Sequence, residues 1–190
     1  MNSIKNRHQK AFEKFQKQKK NINRLWNIEE QTANLLYLMI KVKSPKNILE
    51  IGTSNGYSTF WLSLAAANSK AIVHTLEIDK QRFELAKDNL QDRKNIELHL
   101  GLAEEIIPKL RQKFDFVFID ANKPDYIVYL KLLEDKLENN ALIIADNIFS
   151  HQESVKEYLD FIRGNPLFET MTLEIDSGLE ISVFDDKLRT

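Results

Sequence analysis

The sequence contains no cysteine among its 190 residues. This absence excludes a disulfide-stabilised scaffold, a thiolate zinc site and a cysteine nucleophile. Glycine and proline are also scarce, with five and four residues respectively, and no low-complexity linker or internal repeat interrupts the chain. Any catalysis must therefore rest on oxygen and nitrogen groups within one folded domain.

Long hydrophobic runs are missing as well. The longest apolar stretches, such as residues 60–67, are far shorter than the roughly 20 residues that span a bilayer. Polar and basic residues crowd the first two dozen positions, where a secretory signal would need an apolar core. We therefore predict a cytoplasmic protein without a membrane span. The composition, 43% hydrophobic and 29% charged, is that of a globular domain.

Positive charge is concentrated at the N-terminus, where residues 1–24 carry a net charge of +7 against −8 for the rest of the chain. The basic residues of this segment are Lys5, Arg7, Lys10, Lys14, Lys17, Lys19, Lys20 and Arg24. A thin apolar stripe at helical spacing is formed by Ile4, His8, Phe12 and Phe15. This pattern favours a solvated helical face, and the alternative is an arm that binds a polyanion such as RNA. We divide the chain into a basic helical arm, residues 1–27, and a single domain, residues 28–190.

Apolar periodicity beyond the arm alternates between helix and strand. The predicted helices cover residues 28–42, 57–67, 80–90, 103–113 and 126–137. The predicted strands cover residues 47–51, 71–78, 96–100, 114–119 and 141–145, and a hairpin of residues 168–175 and 179–184 follows. This rhythm predicts an α/β fold: a Rossmann-like, doubly wound, mostly parallel sheet that ends in an antiparallel hairpin.

Two predicted strand ends have the features of a nucleotide site. The first strand contains Glu50 and continues through Gly52 and Gly56 into a helix, and glycines there allow a sharp turn and close approach of a ligand. The loop lacks the intervening glycine of a dinucleotide fingerprint, which disfavours a nicotinamide dehydrogenase. A ligand without phosphates, such as S-adenosylmethionine, suits it better. Glu77 ends the second strand, 25 residues beyond Gly52, where an acid accepts hydrogen bonds from a ribose.

The fourth and fifth predicted strands end in oxygen-bearing side chains. Asp120 follows the fourth strand, and Asp146 and Asn147 follow the fifth. Neighbouring strands would bring these three together as hard ligands for Mg²⁺, with Mn²⁺ or Ca²⁺ as alternatives. In the competing interpretation they cap helices or occupy turns. Lys123 lies close to Asp120 in the chain, and a nearby metal and sulfonium would favour the neutral amine that a general base needs.

The histidines are assigned lesser roles. His74 and His99 lie within predicted strands, so packing or surface positions are expected for both. His151, just beyond the predicted metal segment, is a weaker alternative to Lys123 as the base.

Five sequence blocks occur in order between residues 30 and 184: 50–58 (EIGTSNGYS), 76–79 (LEID), 101–108 (GLAEEIIP), 114–123 (FDFVFIDANK) and 145–147 (ADN). Together they resemble the cation-dependent class I S-adenosylmethionine O-methyltransferases of the catechol and caffeoyl-CoA type. The resemblance implies that the methionine part of the cofactor is cradled by Glu50, Gly52, Gly56, Tyr57 and Ser58. It implies further cofactor contacts from Glu77 at the ribose, from Ala103 and Glu104 at the adenine, and from Ile78 and Asp120. It also implies that Asp120, Asp146 and Asn147 hold the metal, and that Lys123 and Asp120 are catalytic.

The activity implied by this resemblance is methyl transfer to a hydroxyl of a small, catechol-like molecule, with Lys123 taking the proton. Two alternatives stay open. One is methylation of a hydroxylated uridine in transfer RNA, which the basic arm would bind, and the other is a non-catalytic nucleotide-binding domain of the same fold. Members of this family are often homodimers, so a homodimer is expected. One departure is that no acid near Met171 matches the hairpin acid of catechol enzymes.

Overall fold

The computed structural model describes residues 2–22 and 25–188, so Arg24 of the basic segment lies outside the described residues. The chain begins with the helices α1 (Asn2–Arg7), α2 (Gln9–Asn21) and α3 (Glu30–Lys43). Strands and helices then alternate as β1 (Asn47–Ile51), α4 (Tyr57–Ala66), β2 (Ile72–Glu77), α5 (Lys80–Leu90), β3 (Ile96–Leu100), α6 (Ala103–Ile106), β4 (Phe114–Ile119), α7 (Tyr126–Leu133), β5 (Leu137–Asp146), α8 (Gln152–Gly164), β6 (Phe168–Leu173) and β7 (Leu179–Phe184).

One seven-stranded sheet joins these strands in the order β3-β2-β1-β4-β5-β7-β6. β1 to β5 are parallel, and β7 runs antiparallel to both β5 and β6. The predicted fold class is therefore confirmed. The strand order reverses between β1 and β4, and in such sheets the ligand crevice lies at the carboxyl ends of the strands around this point.

Two predicted helices are shorter than expected. α6 ends at Ile106, and a 3-10 turn over Ile107–Lys109 follows it. The predicted helix over residues 103–113 is wrong beyond this turn because Pro108 has no N–H to continue the α-helical bonds. α7 likewise ends at Leu133 in a 3-10 turn, and β5 begins at Leu137.

Helices cover both faces of the sheet. On one face, Trp61 of α4 and Phe116 and Phe118 of β4 belong to a core that includes residues of α2 and α3. On the other face, Tyr126 of α7 and Tyr158 of α8 are fully buried beside the same strands. Burial on two sides explains why the central strands are almost continuously apolar.

The N-terminal helices lie against α4. Phe12 and Phe15 are buried, with ring centroids 5.5 Å and 5.6 Å from that of Phe60. The Lys14 ammonium is 2.6 Å from the carboxylate of Asp88. The apolar stripe is thus a packing surface, and part of the basic charge is paired within the chain. The division of the chain at residue 27 stays a prediction.

Within residues 2–22 and 25–188, no helix combines the length and the apolar character that crossing a membrane requires.

Candidate active site

The loop after β1 needs its two glycines. Gly52 has φ +105°, and a Cβ there would lie 2.1 Å from the carbonyl oxygen of Asp120. Gly56 has φ +86°, and its Cβ would lie 2.8 Å from a side-chain carbon of Leu90. Both conformations disfavour other residues. The close approach at Gly52 places the loop directly against the residue that follows β4.

Glu50 lies beneath this loop and is fully buried. Its Oε2 accepts hydrogen bonds from Thr59 and, at 2.6 Å, from Thr75. Burial raises the pKa of Glu50 to about 7, although hydrogen bonds from nearby hydroxyl groups partly oppose that rise. Among the described residues no partner is found for its buried Oε1. A buried oxygen without a partner is costly unless a ligand satisfies it.

The same loop has two more buried polar atoms without a partner in the described part of the chain, Ser54 Oγ and Asn55 Oδ1. Tyr57 and Ser58, the first residues of α4, are both buried. The Tyr57 ring packs edge-on against Phe15, with centroids 5.4 Å apart. The predicted cradle is therefore a preformed loop that has unused hydrogen-bonding groups.

Glu77 ends β2 and joins two loops. Its Oε2 accepts from the Ser54 N–H at 2.7 Å, and its Oε1 accepts from the Asp79 N–H at 2.8 Å. The guanidinium of Arg82 lies 3.1 Å from the same Oε1, and its carbon is 5.7 Å from the ring of Trp26. Trp26 is 67% exposed. A carboxylate has further acceptor positions, so a ribose hydroxyl can still bond to Glu77.

Exposed apolar side chains surround the ends of β2 and β3. Ile78, Leu100 and Leu102 keep 59%, 44% and 42% of their surface exposed. Ala103 is buried at the start of α6, and Glu104 next to it is half-buried. The two leucines were not among the predicted site residues. They expose apolar surface where the strands end, a position suited to the flat face of an aromatic ring.

The two predicted metal carboxylates lie at the ends of neighbouring strands. Ile119 of β4 is paired in register with Ala145 of β5, so Asp120 and Asp146 come next at the same edge, where strands lie about 4.8 Å apart. Asp146 is buried and accepts a hydrogen bond from the N–H of Asn147 at 2.6 Å. Asn147 has φ +65° and turns the chain there. Burial, and then the negative charge of Asp120, raise the pKa of Asp146 to about 7.

Lys123 is held beside these carboxylates. Its Nζ donates to Asp120 Oδ1 at 3.0 Å, and the two side chains are only 17% and 13% exposed. The ammonium also lies 5.8 Å from the centroid of the Tyr126 ring. The positive charge of Lys123 also acts to lower the pKa of Asp146, against the larger effect of burial. Asp120, Asp146 and Lys123 thus form one partly buried cluster of two carboxylates and one lysine.

A further carboxylate, which we did not predict, comes from the terminal hairpin. The negative charge of Asp176 contributes to the raised pKa of Asp146, after burial and Asp120. Its Oδ2 accepts from the N–H and the hydroxyl of Thr32, at 2.9 Å and 2.7 Å. In the predicted hairpin of residues 168–175 and 179–184, Asp176 lies in the connecting loop. His151, the alternative base, is exposed and lies 2.9 Å from the hydroxyl of Ser150.

The chain is similar to known O-methyltransferases. A family model described as O-methyltransferase matches residues 3–182. The catechol O-methyltransferase of Niastella koreensis is 33% identical over 130 residues, which are 64% of this chain and 58% of that protein. The catechol O-methyltransferase of Mycobacterium tuberculosis is 34% identical over 127 residues, 64% of this chain and 56% of that protein. The chain thus spans less than two thirds of the length of these curated relatives.

A solved structure supports the fold. The O-methyltransferase from Bacillus cereus, crystallised in complex with SAH, superimposes with a TM-score of 0.83 over 92% of this chain and 90% of that one, at 24% identity.

Proposed function

We propose that this chain, which belongs to the O-methyltransferase family, transfers the methyl group of S-adenosylmethionine to a hydroxyl of a small, catechol-like molecule and needs a divalent cation to do so. One observation carries the proposal. The glycine loop after β1 lies directly against Asp120, where a Cβ at Gly52 would meet the carbonyl oxygen at 2.1 Å. The candidate cofactor loop and the candidate metal cluster are therefore two sides of one crevice.

The residues at the glycine loop suit S-adenosylmethionine. The unpartnered oxygens of Glu50, Ser54 and Asn55 offer hydrogen-bonding groups to the amino-acid part, Glu77 offers acceptors to the ribose, and the exposed apolar side chains beyond β2 and β3 suit the adenine. When bound, S-adenosylmethionine supplies a methyl group on a positively charged sulfur.

The oxygen ligands at the ends of β4 and β5 suit a hard cation. Two carboxylates beside one lysine leave a net negative charge in a partly buried position. Burial and repulsion from the Asp120 carboxylate raise the pKa of Asp146, and a bound cation would relieve that repulsion. We propose that Asp120, Asp146 and Asn147 hold Mg²⁺, with Mn²⁺ or Ca²⁺ as alternatives. A cation there would polarise the hydroxyl group of the substrate.

Lys123 is the candidate general base. Asp120 holds its Nζ at 3.0 Å, so the amine is fixed at the side of the crevice where the substrate hydroxyl would lie. In its neutral form Lys123 can take the proton from that hydroxyl. Asp120 therefore has a positioning role in addition to its proposed role as a metal ligand.

The acceptor is proposed to lie in the crevice beside Lys123. A separate cavity of about 740 Å³ between α1, α2 and the segment before α3 reaches Tyr57 at the start of α4, but its lining includes neither Lys123 nor the proposed metal ligands. The names of the curated relatives favour a small hydroxylated substrate. The transfer RNA alternative rests only on the basic charge of the arm.

The test is methyl transfer from labelled S-adenosylmethionine to a panel of catechols and to transfer RNA, with Mg²⁺ or with EDTA. We expect transfer to a catechol that EDTA abolishes and Mg²⁺ restores. Asp146→Asn should lose at least about 100-fold in rate, because a Lewis-acid site contributes several kcal/mol. The matched control is Asp160→Asn, which changes an exposed carboxylate on α8. Equal rates with and without EDTA would refute the metal role.

The base is tested separately. Lys123→Met should lower kcat by about 100-fold or more and leave cofactor binding in place. Lys131→Met is the control, since Lys131 is an exposed lysine on the nearby helix α7. If both variants retain full kcat, Lys123 is not the base. Transfer to RNA alone would make transfer RNA the substrate.

A further inference from the structure

Two histidines and a glutamate meet on β2 and the edge strand β3, away from the crevice. His74 pairs in register with Glu97, and His99 lies two residues further along β3. Side chains two residues apart share a face of a strand, so all three are on one side of the sheet. Within residues 2–22 and 25–188, this is the one group of three His, Asp or Glu residues whose ligand atoms all lie within 4.8 Å of one another.

The Nδ1 atom of His74 is the centre of this group. It lies 3.2 Å from Glu97 Oε2, 3.4 Å from His99 Nε2 and 3.1 Å from the amide nitrogen of Gln112. Without a metal, Nδ1–H can donate to Glu97 while Nε2, 2.9 Å from the Gln112 amide nitrogen, accepts from it. A protonated Nδ1 that serves Glu97 makes no hydrogen bond to His99 Nε2. Hydrogen bonding therefore links only part of the cluster.

A transition-metal ion could be bound by all three ligand atoms at once. In a tetrahedral zinc site, bonds of about 2.0–2.2 Å separate neighbouring ligand atoms by about 3.3–3.6 Å. The two separations from His74 Nδ1, 3.2 Å and 3.4 Å, are close to that range. Two imidazoles and one carboxylate also form a common ligand set for zinc, with a water molecule in the fourth position.

We propose that His74 Nδ1, His99 Nε2 and the carboxylate of Glu97 bind a zinc-class divalent ion, at a site separate from the oxygen ligands of the crevice. The site would link β3 to β2 and so stabilise the edge of the sheet.

The surroundings of His74 are those of a positioned ligand. Its ring is almost fully buried and packs edge-on against Phe114, with centroids 5.6 Å apart. The amide of Gln112 lies 2.9 Å from the other ring nitrogen, Nε2. With its oxygen turned towards the ring, Gln112 would accept the Nε2 proton and leave the Nδ1 lone pair for the metal, as outer partners of zinc ligands do. The Glu97 side chain is 58% exposed, which gives an ion access from solvent.

The experiment uses the full chain after treatment with a chelator. Cobalt(II) is added in the presence of excess Mg²⁺, which occupies the oxygen ligands of the crevice, and visible absorption reports tetrahedral nitrogen ligation. Zinc affinity is then measured by competition. We expect one equivalent of cobalt, displaced by zinc, and a higher melting temperature with zinc because the ion binds the folded state. His99→Gln and Glu97→Gln should each weaken zinc binding by at least about tenfold.

Controls separate this site from its alternatives. His151→Gln removes an exposed histidine outside the cluster and should bind zinc like the unaltered chain. Asp146→Asn should also bind zinc normally. Zinc affinity that is unchanged in His99→Gln, or lost in Asp146→Asn instead, would overturn the proposal, as would the absence of a tetrahedral cobalt spectrum. The His99 and Glu97 variants are preferred to a change of the buried His74, which could fail to fold.

Discussion

Replacing Gly52 with alanine tests how closely the cofactor loop is tied to the metal cluster. The new Cβ would lie 2.1 Å from the carbonyl oxygen and 2.8 Å from the carbonyl carbon of Asp120, both backbone atoms that no side-chain rotation can move. The φ of +105° at this position adds strain of about 1–3 kcal/mol for a residue with a Cβ. Together these effects should lower the free energy of unfolding by about 3–5 kcal/mol.

Gly164→Ala is the matched control. Gly164 is the last residue of α8, and a Cβ there would meet nothing within 4 Å. The same chemical change should be neutral or stabilise the chain by up to about 1 kcal/mol, because alanine restricts the unfolded chain.

Urea unfolding at fixed pH measures both variants, and calorimetry measures their affinity for S-adenosylmethionine. We expect Gly52→Ala to unfold at clearly lower urea and to bind the cofactor weakly, since the loop must shift away from Asp120. Coincident unfolding midpoints for the two variants, with equal cofactor affinity, would refute the close contact and with it the single-crevice argument.

Three other predictions follow from buried or unusual side chains. Because burial raises the pKa of Glu50 from 4.5 to about 7, the folded chain binds a proton that the unfolded chain has released. The free energy of unfolding should therefore fall by up to about 3 kcal/mol as pH rises between these values. In urea titrations at several pH values, Glu50→Gln should lack this part of the pH dependence. Arg163 donates two hydrogen bonds of 2.8 Å to the buried carboxylate of Glu180. Because Arg163→Met would leave that carboxylate without its cation, it should destabilise the chain by about 2–4 kcal/mol. Identical melting curves for Arg163→Met and the unaltered chain would contradict this. Trp26 is exposed beside Arg82, and the other tryptophan is fully buried, so cofactor binding should change tryptophan emission in the unaltered chain. If the change in emission persists in Trp26→Phe, it does not come from Trp26.

The strand ends could be predicted because their signals are local. An apolar run that ends in an acid or a glycine defines both a buried strand and the polar group that follows it, as at Glu77, Asp120 and Asp146. Parallel pairing then places these residues at one edge without further information. The structure brings Asp120 and Lys123 to within 3.0 Å, as their proximity in the chain suggested.

Other features were not predictable in this way. α8 went unpredicted, although Val155, Tyr158 and Ile162, all buried, recur at helical spacing on one of its faces. The first residues of β5 were also missed because residues 138–140 are polar, and polar residues rarely indicate a strand. Asp176 lies near Asp146 because β7 pairs with β5. The sequence of a hairpin does not show which strand of the sheet the hairpin pairs with.

The histidine cluster shows the same limit most clearly. His74 and His99 are 25 residues apart, and nothing in either strand indicates that β2 and β3 are neighbours in this register. A register shifted by one residue would turn His99 and Glu97 to the other face. Local sequence determines what each strand end can bind, whereas lateral register determines which side chains in the middle of the strands meet. A site formed by side chains in the middle of neighbouring strands, such as the proposed zinc site, can be recognised only once the pairing of the strands is known.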